Sequence, residues 1–230
     1  MSKSTGLRKR NRAWQDKLLA NSWLLIPVLV VGGVVAVGVT KQRPDPGVQQ
    51  TDTQPMSQQK PQASTGDEFF KVETPGSPLP PQPANAKLPG TALPKLGQDH
   101  VPETERVKYN SNPPTSGPHY AIWAQWGIHA KAPLDERLVH NLEHGGVTIS
   151  YKPDQIQGQV LEQIKAQVRE LSKTNARIIL TPRPNMDTAI ALTAWGYLQK
   201  LDRYDPAAIQ AFYDAHIARG PECQNGLCPN

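Results

Sequence analysis

Along this chain the spacing of apolar positions changes several times, and each change marks a different kind of element. Leu18 to Thr40 is a run of 23 residues without a charged side chain. At about 1.5 Å per helical residue it is long enough to cross a hydrocarbon core of roughly 30 Å. Apolar residues then thin out over residues 41–98, and further on VTISY (147–151) is a β-rich run that predicts a strand. Val160, Ile164, Val168 and Leu171 recur at helical spacing. Pro153 suits a first helical turn, where its missing N–H costs nothing, so this helix is expected to run from there through Lys173, weakened early by Gly158. RIIL (177–180) reads as a strand closed by TPRPN, and Thr188 to Leu198 as another, although AIALTAW alone also fits a helix. Asp205 and Pro206 are an N-cap followed by proline at the first helical position, and Gly220 ends that helix.

A shorter helix is expected around Leu134 to His144, and one or two irregular strands within Tyr109 to Gly127. Strand, helix, strand, strand, helix, preceded by loop-rich sequence, predicts an α+β fold. It is one compact domain over residues 99–230, with a small mixed sheet and two main helices.

Composition separates that domain from what precedes it. Residues 41–98 contain 11 prolines, many Gln, Ser and Thr, and only Phe69 and Phe70 as aromatics. Such a segment buries too little apolar surface to offset its ordering entropy, so it reads as a disordered linker with polyproline character. The DEFFKVE run within it reads as an isolated apolar interruption, with a docking motif as the alternative.

Charge sharpens the division. The formal net charge is +5, but residues 1–98 carry 12 Lys/Arg against 6 Asp/Glu, and residues 99–230 carry 13 against 14. The near-neutral domain has no basic stripe, which argues against nucleic acid as a partner. Within residues 1–17, Lys3, Arg8, Lys9, Arg10, Arg12 and Lys17 precede the apolar run, opposed only by Asp16, and Lys41 and Arg43 follow it. The positive-inside rule makes residues 1–17 cytoplasmic, residues 18–40 a single-pass transmembrane helix in the lipid bilayer, and the remainder extracytoplasmic. Trp14 and Trp23 suit the cytoplasmic headgroup level. The competing reading is a cleaved signal peptide ending near the small pair Ala36 and Gly38, but the run exceeds the usual 7–15 apolar residues.

All six histidines and both cysteines lie in the last 131 residues, which concentrates site chemistry there. In LVHNLEHGG (138–146), His140, Glu143 and His144 share one helical face, a spacing that lets two imidazoles chelate one ion. Gly145 and Gly146 would end the helix through a left-handed cap, where a protonated histidine is also favoured by the helix dipole. In YNSNPPTSGPHY (109–120), three prolines restrict the backbone and Gly117 allows a tight turn, giving a stiff loop that fixes the direction of His119. His119, His140 and His144 are therefore the expected metal ligands, with His100 a fourth. Glu143 and Ser116 are expected to support the ligands, Ser116 as a turn residue and not a nucleophile. His216 reads as a core-edge histidine, and His129 has no strong case.

NPPTSGPH, WG, LVHNLEHGGV and TAWG together resemble the bacterial family of domain of unknown function 3105, over about residues 98–222. The resemblance implies that His119, His140, Glu143 and His144 occupy motif positions, that Trp195 is a packing residue, and that an N-terminal membrane segment is common. It implies no activity.

Several functions remain open on the sequence. The first is a membrane-anchored domain binding copper or zinc through its histidines, against histidines that merely hydrogen-bond the loop onto the helix. The second is a zinc metallohydrolase, because His140-x-x-Glu143-His144 matches the H-x-x-E-H signature with Glu143 as general base. The glycine stop and the lack of an evident third acidic ligand weigh against it. The third is a non-catalytic module binding an envelope protein or polymer through Trp123, Trp126 and Trp195. Cys223 and Cys228 flank the turn dipeptide Asn225-Gly226 and are expected to form a disulfide, with a soft metal site or redox pair as the alternatives.

Overall fold

The computed structural model describes residues 66–73, 79–83 and 85–229, all within one compact unit, residues 56–230. The apolar run at 18–40 lies outside the described residues, and among those no helix is long and apolar enough to cross a membrane.

The sheet is built around β6 (Val147–Tyr151), whose five residues are all buried. β7 (Ile178–Pro182) pairs with it in parallel across α2 (Gly158–Thr174), and β8 (Ile190–Ala194) pairs antiparallel on its other side. β9 (Tyr197–Leu201) continues as a hairpin from β8. Outer positions are taken by short strands: β1 (Glu68–Phe69), β5 (Gly127–Ile128) and β2 (Thr91–Ala92). The resulting order is β1-β5-β7-β6-β8-β9-β2, a seven-stranded mixed sheet. A separate parallel pair joins β3 (His100–Val101) to β4 (His119–Tyr120).

Period-two alternation divides the sheet into two faces. Val147, Ile149, Ile178, Leu180, Ile190 and Leu192 pack against Ile164, Val168 and Leu171 of α2 and against Ile209 and Phe212 of α3 (Pro206–His216). On the opposite face Ile179 packs with Leu138 of α1 (Asp135–Glu143), Ala124 and Trp126. Burying each such aliphatic side chain contributes about 1.5–3 kcal/mol.

The mixed sheet and its helices agree with the expected α+β domain, with differences in several elements. First, residues 68–69 and 91–92, assigned above to a disordered linker, are strands of the sheet. Phe70 packs on the main core and Phe69 against the His129 ring, so DEFFKVE is docked on the domain, with Glu68–Phe69 as its strand. Second, α2 begins at Gly158, not Pro153. The chain first closes a tight turn, Ile156 N donating to Lys152 O at 2.9 Å, and resets at Gly158, whose φ is +57°. Third, Val160 is then in the first turn and exposed, and Leu161 takes its place against the core. Fourth, Thr188 to Leu198 is not one strand, because Trp195-Gly196 makes a turn with Gly196 at φ +75°. The helix expected from Asp205 starts as read, the Asp205 carboxylate accepting from Ala208 N and Pro206 being its first residue, but it ends at His216 with Ile217 as the C-cap, short of the Gly220 stop expected above.

Candidate metal centre

The α1 helix ends as its glycines demand. His144 is the C-cap, Gly145 N donates to Leu142 O at 3.0 Å, and Gly146 N donates to Asn141 O at 2.8 Å. This is a Schellman ending with Gly145 at φ +73°. It leaves His140 and His144 one turn apart at the end of the helix, where α1 packs on β4 and β6.

His119 arrives from the other side. The loop before it contains a cis peptide at Asn112–Pro113 and is tied down by Tyr109, whose hydroxyl donates to Pro118 O at 2.8 Å. The parallel pairing of β3 with β4 sets His100 directly beside His119. Ring centroids of His100, His119 and His140 lie 4.9–5.1 Å apart, and those of His140 and His144 4.8 Å. One nitrogen each from His100, His119 and His140 and one oxygen of Glu143 all lie within 4.8 Å of one another. These four residues form a group positioned to bind a metal ion. His144 adjoins it, its Nε2 2.9 Å from His140 Nε2.

The protons can be placed from the partners. His119 Nδ1 faces Gly117 O at 2.9 Å, His140 Nδ1 faces Tyr120 O at 2.6 Å, and His144 Nδ1 faces Pro229 O at 3.1 Å. A carbonyl has only lone pairs to offer, so each Nδ1 carries the hydrogen, and a ring in its neutral form presents a bare Nε2. Backbone carbonyls commonly hold metal-binding imidazoles in this orientation.

The inward atoms are therefore acceptors facing acceptors. His119 Nε2 lies 2.9 Å from Glu143 Oε2 and has no hydrogen-bond partner. His144 Nε2 lies 2.9 Å from His140 Nε2 and 3.1 Å from Glu222 Oε2. Only a cation between them, a metal ion or a proton, turns these contacts attractive. Two ligand atoms each about 2.0–2.1 Å from one ion at a right angle would stand about 2.9 Å apart.

Electrostatics point the same way. Burial lowers the His140 pKa to about 4, with the neighbouring histidines adding to the effect and the Tyr120 carbonyl opposing it. Burial also lowers that of His119. Both rings are thus neutral near pH 7, the form that binds metals. Burial, reinforced by Glu222, raises the Glu143 carboxyl.

Of the residues expected to support the ligands, Glu143 sits within the group. Ser116 does not touch it: its Oγ accepts from Leu96 N at 3.2 Å and so anchors the upstream segment to the loop. His216 is a core-edge histidine as expected, packed on Phe212 and bonded to Pro89 O, and His129 is bonded to Gln125 O away from the group. Trp126 and Trp195 are buried among core residues, Trp195 also meeting the His119 ring edge-on at 6.3 Å, and Trp123 walls the site, 5.2 Å from His140 and 4.9 Å from His144. Cys223 and Cys228 form the expected disulfide.

Two residues escaped the sequence reading. Asn141, fully buried, accepts from Ala124 N and donates to Ala124 O, both at 2.9 Å, and so clamps the loop carrying Trp123 onto the helix. Its position between His140 and Glu143 was the available signal. Glu222 reaches His144 from the far end of the chain, and nothing in its local sequence announces that.

The fold and the group define a small mixed-sheet domain carrying a buried His/Glu centre able to hold a metal ion. The family described as "Protein of unknown function (DUF3105)" matches residues 100–228, and the chain belongs to that family. No curated protein and no solved structure matches the chain.

Proposed function

We propose that this protein is a membrane-anchored, extracytoplasmic domain that binds one transition metal ion. The ligands are His100, His119, His140 and Glu143, with His144 at the rim. The observation that carries this reading is the set of bare Nε2 atoms turned on one another and on a carboxylate, with every opposite ring nitrogen of His119, His140 and His144 bonded to a carbonyl. Histidines that only fastened the loop would need no more than the Nδ1 donations to Gly117 O and Tyr120 O, and would not leave His119 Nε2 orphaned in the interior.

Imidazole with carboxylate suits copper(II) or zinc(II). Glu143 faces His119, which favours a ligand over a general base, and the H-x-x-E-H hydrolase reading is the weaker one for that reason. Anchoring draws its support from the 23 uncharged residues at 18–40 behind a basic segment. The Cys223–Cys228 disulfide fits an oxidising compartment.

The test is metal analysis of the full-length chain purified in detergent, followed by titration with Cu(II) and Zn(II). One equivalent should bind with Kd below about 1 μM, equivalent to roughly −8 kcal/mol. His140→Ala and His119→Ala should abolish that binding. If the wild-type chain binds neither ion in this range, the reading fails.

A further inference from the structure

The C-terminal clasp holds the rim of the centre in an unusual way. Glu222 immediately precedes Cys223, and Pro229 immediately follows Cys228. Both neighbours reach the same imidazole from opposite sides: Glu222 Oε2 lies 3.1 Å from His144 Nε2, and Pro229 O accepts from His144 Nδ1 at 3.1 Å. The disulfide is thus the covalent link between the two contacts that orient one ring.

The rest of the clasp is built to keep it there. Ala218 N donates to Gly145 O at 2.7 Å, just past the end of α1. A Cβ on Gly220 would stand 2.0 Å from Glu143 O, and one on Gly145 would stand 2.6 Å and 2.9 Å from the two sulfurs. Glycine at both positions lets the disulfide lie directly on the helix terminus that carries the ligands. Buried Arg177 donates to Cys228 O at 2.9 Å and to Pro229 O at 3.2 Å, anchoring the outgoing strand of the clasp.

We propose that Glu222 and His144 are additional ligands at the mouth of the metal centre, delivered by the Cys223–Cys228 disulfide, so that the thiol state of the clasp sets how tightly the ion is held. This deepens the metal-binding reading and rests on it. The ion is the same divalent transition metal, and Glu222 adds an anionic oxygen on the solvent side of the centre, where its side chain is 40% exposed.

Opening the clasp requires a dithiol reductant. One thiolate attacks the sulfur of Cys223, the less buried of the pair, and releases Cys228. The second thiol of the reductant then displaces Cys223 and closes its own disulfide. Two electrons and two protons end on the cysteines as thiols. Glu222 and Pro229 then lose their shared tether, and His144 loses its orienting carbonyl. By linkage the bound ion resists reduction in return: a tenfold difference in metal affinity corresponds to about 30 mV in the potential of the pair.

The experiment is Cu(II) and Zn(II) titration of the full-length wild-type chain, E222Q, the C223S/C228S double variant, and the triple variant combining them. Circular dichroism should confirm that each is folded. E222Q and C223S/C228S should each weaken binding about 10–100-fold, the range for losing a supporting partner of a metal site. The triple variant should bind no more weakly than C223S/C228S, because both changes remove one contact chain. A folded C223S/C228S variant with wild-type affinity overturns the inference alone, as does independent, multiplicative weakening in the triple variant. If C223S/C228S does not fold, E222Q still decides: wild-type affinity there removes Glu222 as a ligand. Absence of binding to the wild-type chain overturns this inference together with the metal reading.

Discussion

His119 Nε2 and Glu143 Oε2 stand 2.9 Å apart in the interior, and neither offers the other a proton while the ring is neutral and the carboxyl ionised. His119 is fully buried and Glu143 nearly so, leaving no solvent to intervene. A pair of facing lone pairs is a cost the fold carries unless a positive charge joins them.

That cost yields a prediction with two opposite signs. Glu143→Gln puts an amide N–H within reach of His119 Nε2 and supplies the missing hydrogen. In chelator, the variant should be as stable as wild type or more stable, by about 1 kcal/mol, the net worth of a buried hydrogen bond. Its metal affinity should fall roughly 10–100-fold, because an anionic donor has been lost. Urea denaturation with chelator and metal titration without it measure the two effects. A variant that loses stability without metal, or keeps full affinity, contradicts the ligand assignment.

Asn141 supports the site without facing it. Its amide completes two hydrogen bonds to the backbone of Ala124, and both groups are buried. Asn141→Ala strands that N–H and that carbonyl at about 1–3 kcal/mol each, so the loss of stability should be about 2–6 kcal/mol. Asn141→Asp keeps the acceptor but turns a carboxylate oxygen on the Ala124 carbonyl, and should fare no better. Denaturant midpoints decide this, and a change below about 0.5 kcal/mol, ordinary for a surface substitution, refutes it.

What could be read in advance follows from the range over which each signal acts. The Gly145-Gly146 stop, the helical pairing of His140 with His144, and the Asp205-Pro206 start are local, decided within a few residues, and the structure has them. The disulfide is nearly local, since Asn225-Gly226 turns the chain between its cysteines. Register is different. His100 meets His119 because two-residue strands align in parallel, and two residues carry no periodicity to detect. The same holds for Glu68–Phe69 and Thr91–Ala92, whose stability comes from the sheet they join and not from their own composition. Glu222 reaches His144 across the whole domain, a relationship only tertiary packing creates.

The short strands therefore move the practical boundary of the domain upstream. Glu68 pairs with Arg169 of α2 at 2.8 Å, Phe70 packs on the main core, and Leu79 N donates to Asn225 O at 2.8 Å. A chain truncated to start at Asp99 loses all of these, including part of the ~1.5–3 kcal/mol that full burial of a phenylalanine contributes, since Phe70 is half-buried. It should melt well below a chain starting at Met56 and expose apolar surface along β5 and β9. Thermal scans of both, with binding of a hydrophobic dye, provide the comparison. Equal melting temperatures would mean that the upstream strands contribute nothing.

A last prediction concerns acid. Burial pushes His216 below its ordinary value of 6.5, the Pro89 carbonyl opposing this and Arg219 reinforcing it. The unfolded chain, with the ordinary value, takes up more protons than the folded one as pH falls below about 6.5. The contribution of His216 is therefore complete above that pH and is lost as pH drops toward its folded value. His216→Gln retains a donor for the Pro89 carbonyl but does not titrate. In chelator, to keep the metal centre out of the comparison, wild type should be the more stable at pH 7.5 because its ring packs on Phe212 and Tyr197. Urea midpoints at pH 7.5 and pH 5 should show that advantage shrinking as the ring of wild type becomes costly to keep neutral. A difference that is the same at both pH values would place the acid sensitivity of the fold elsewhere.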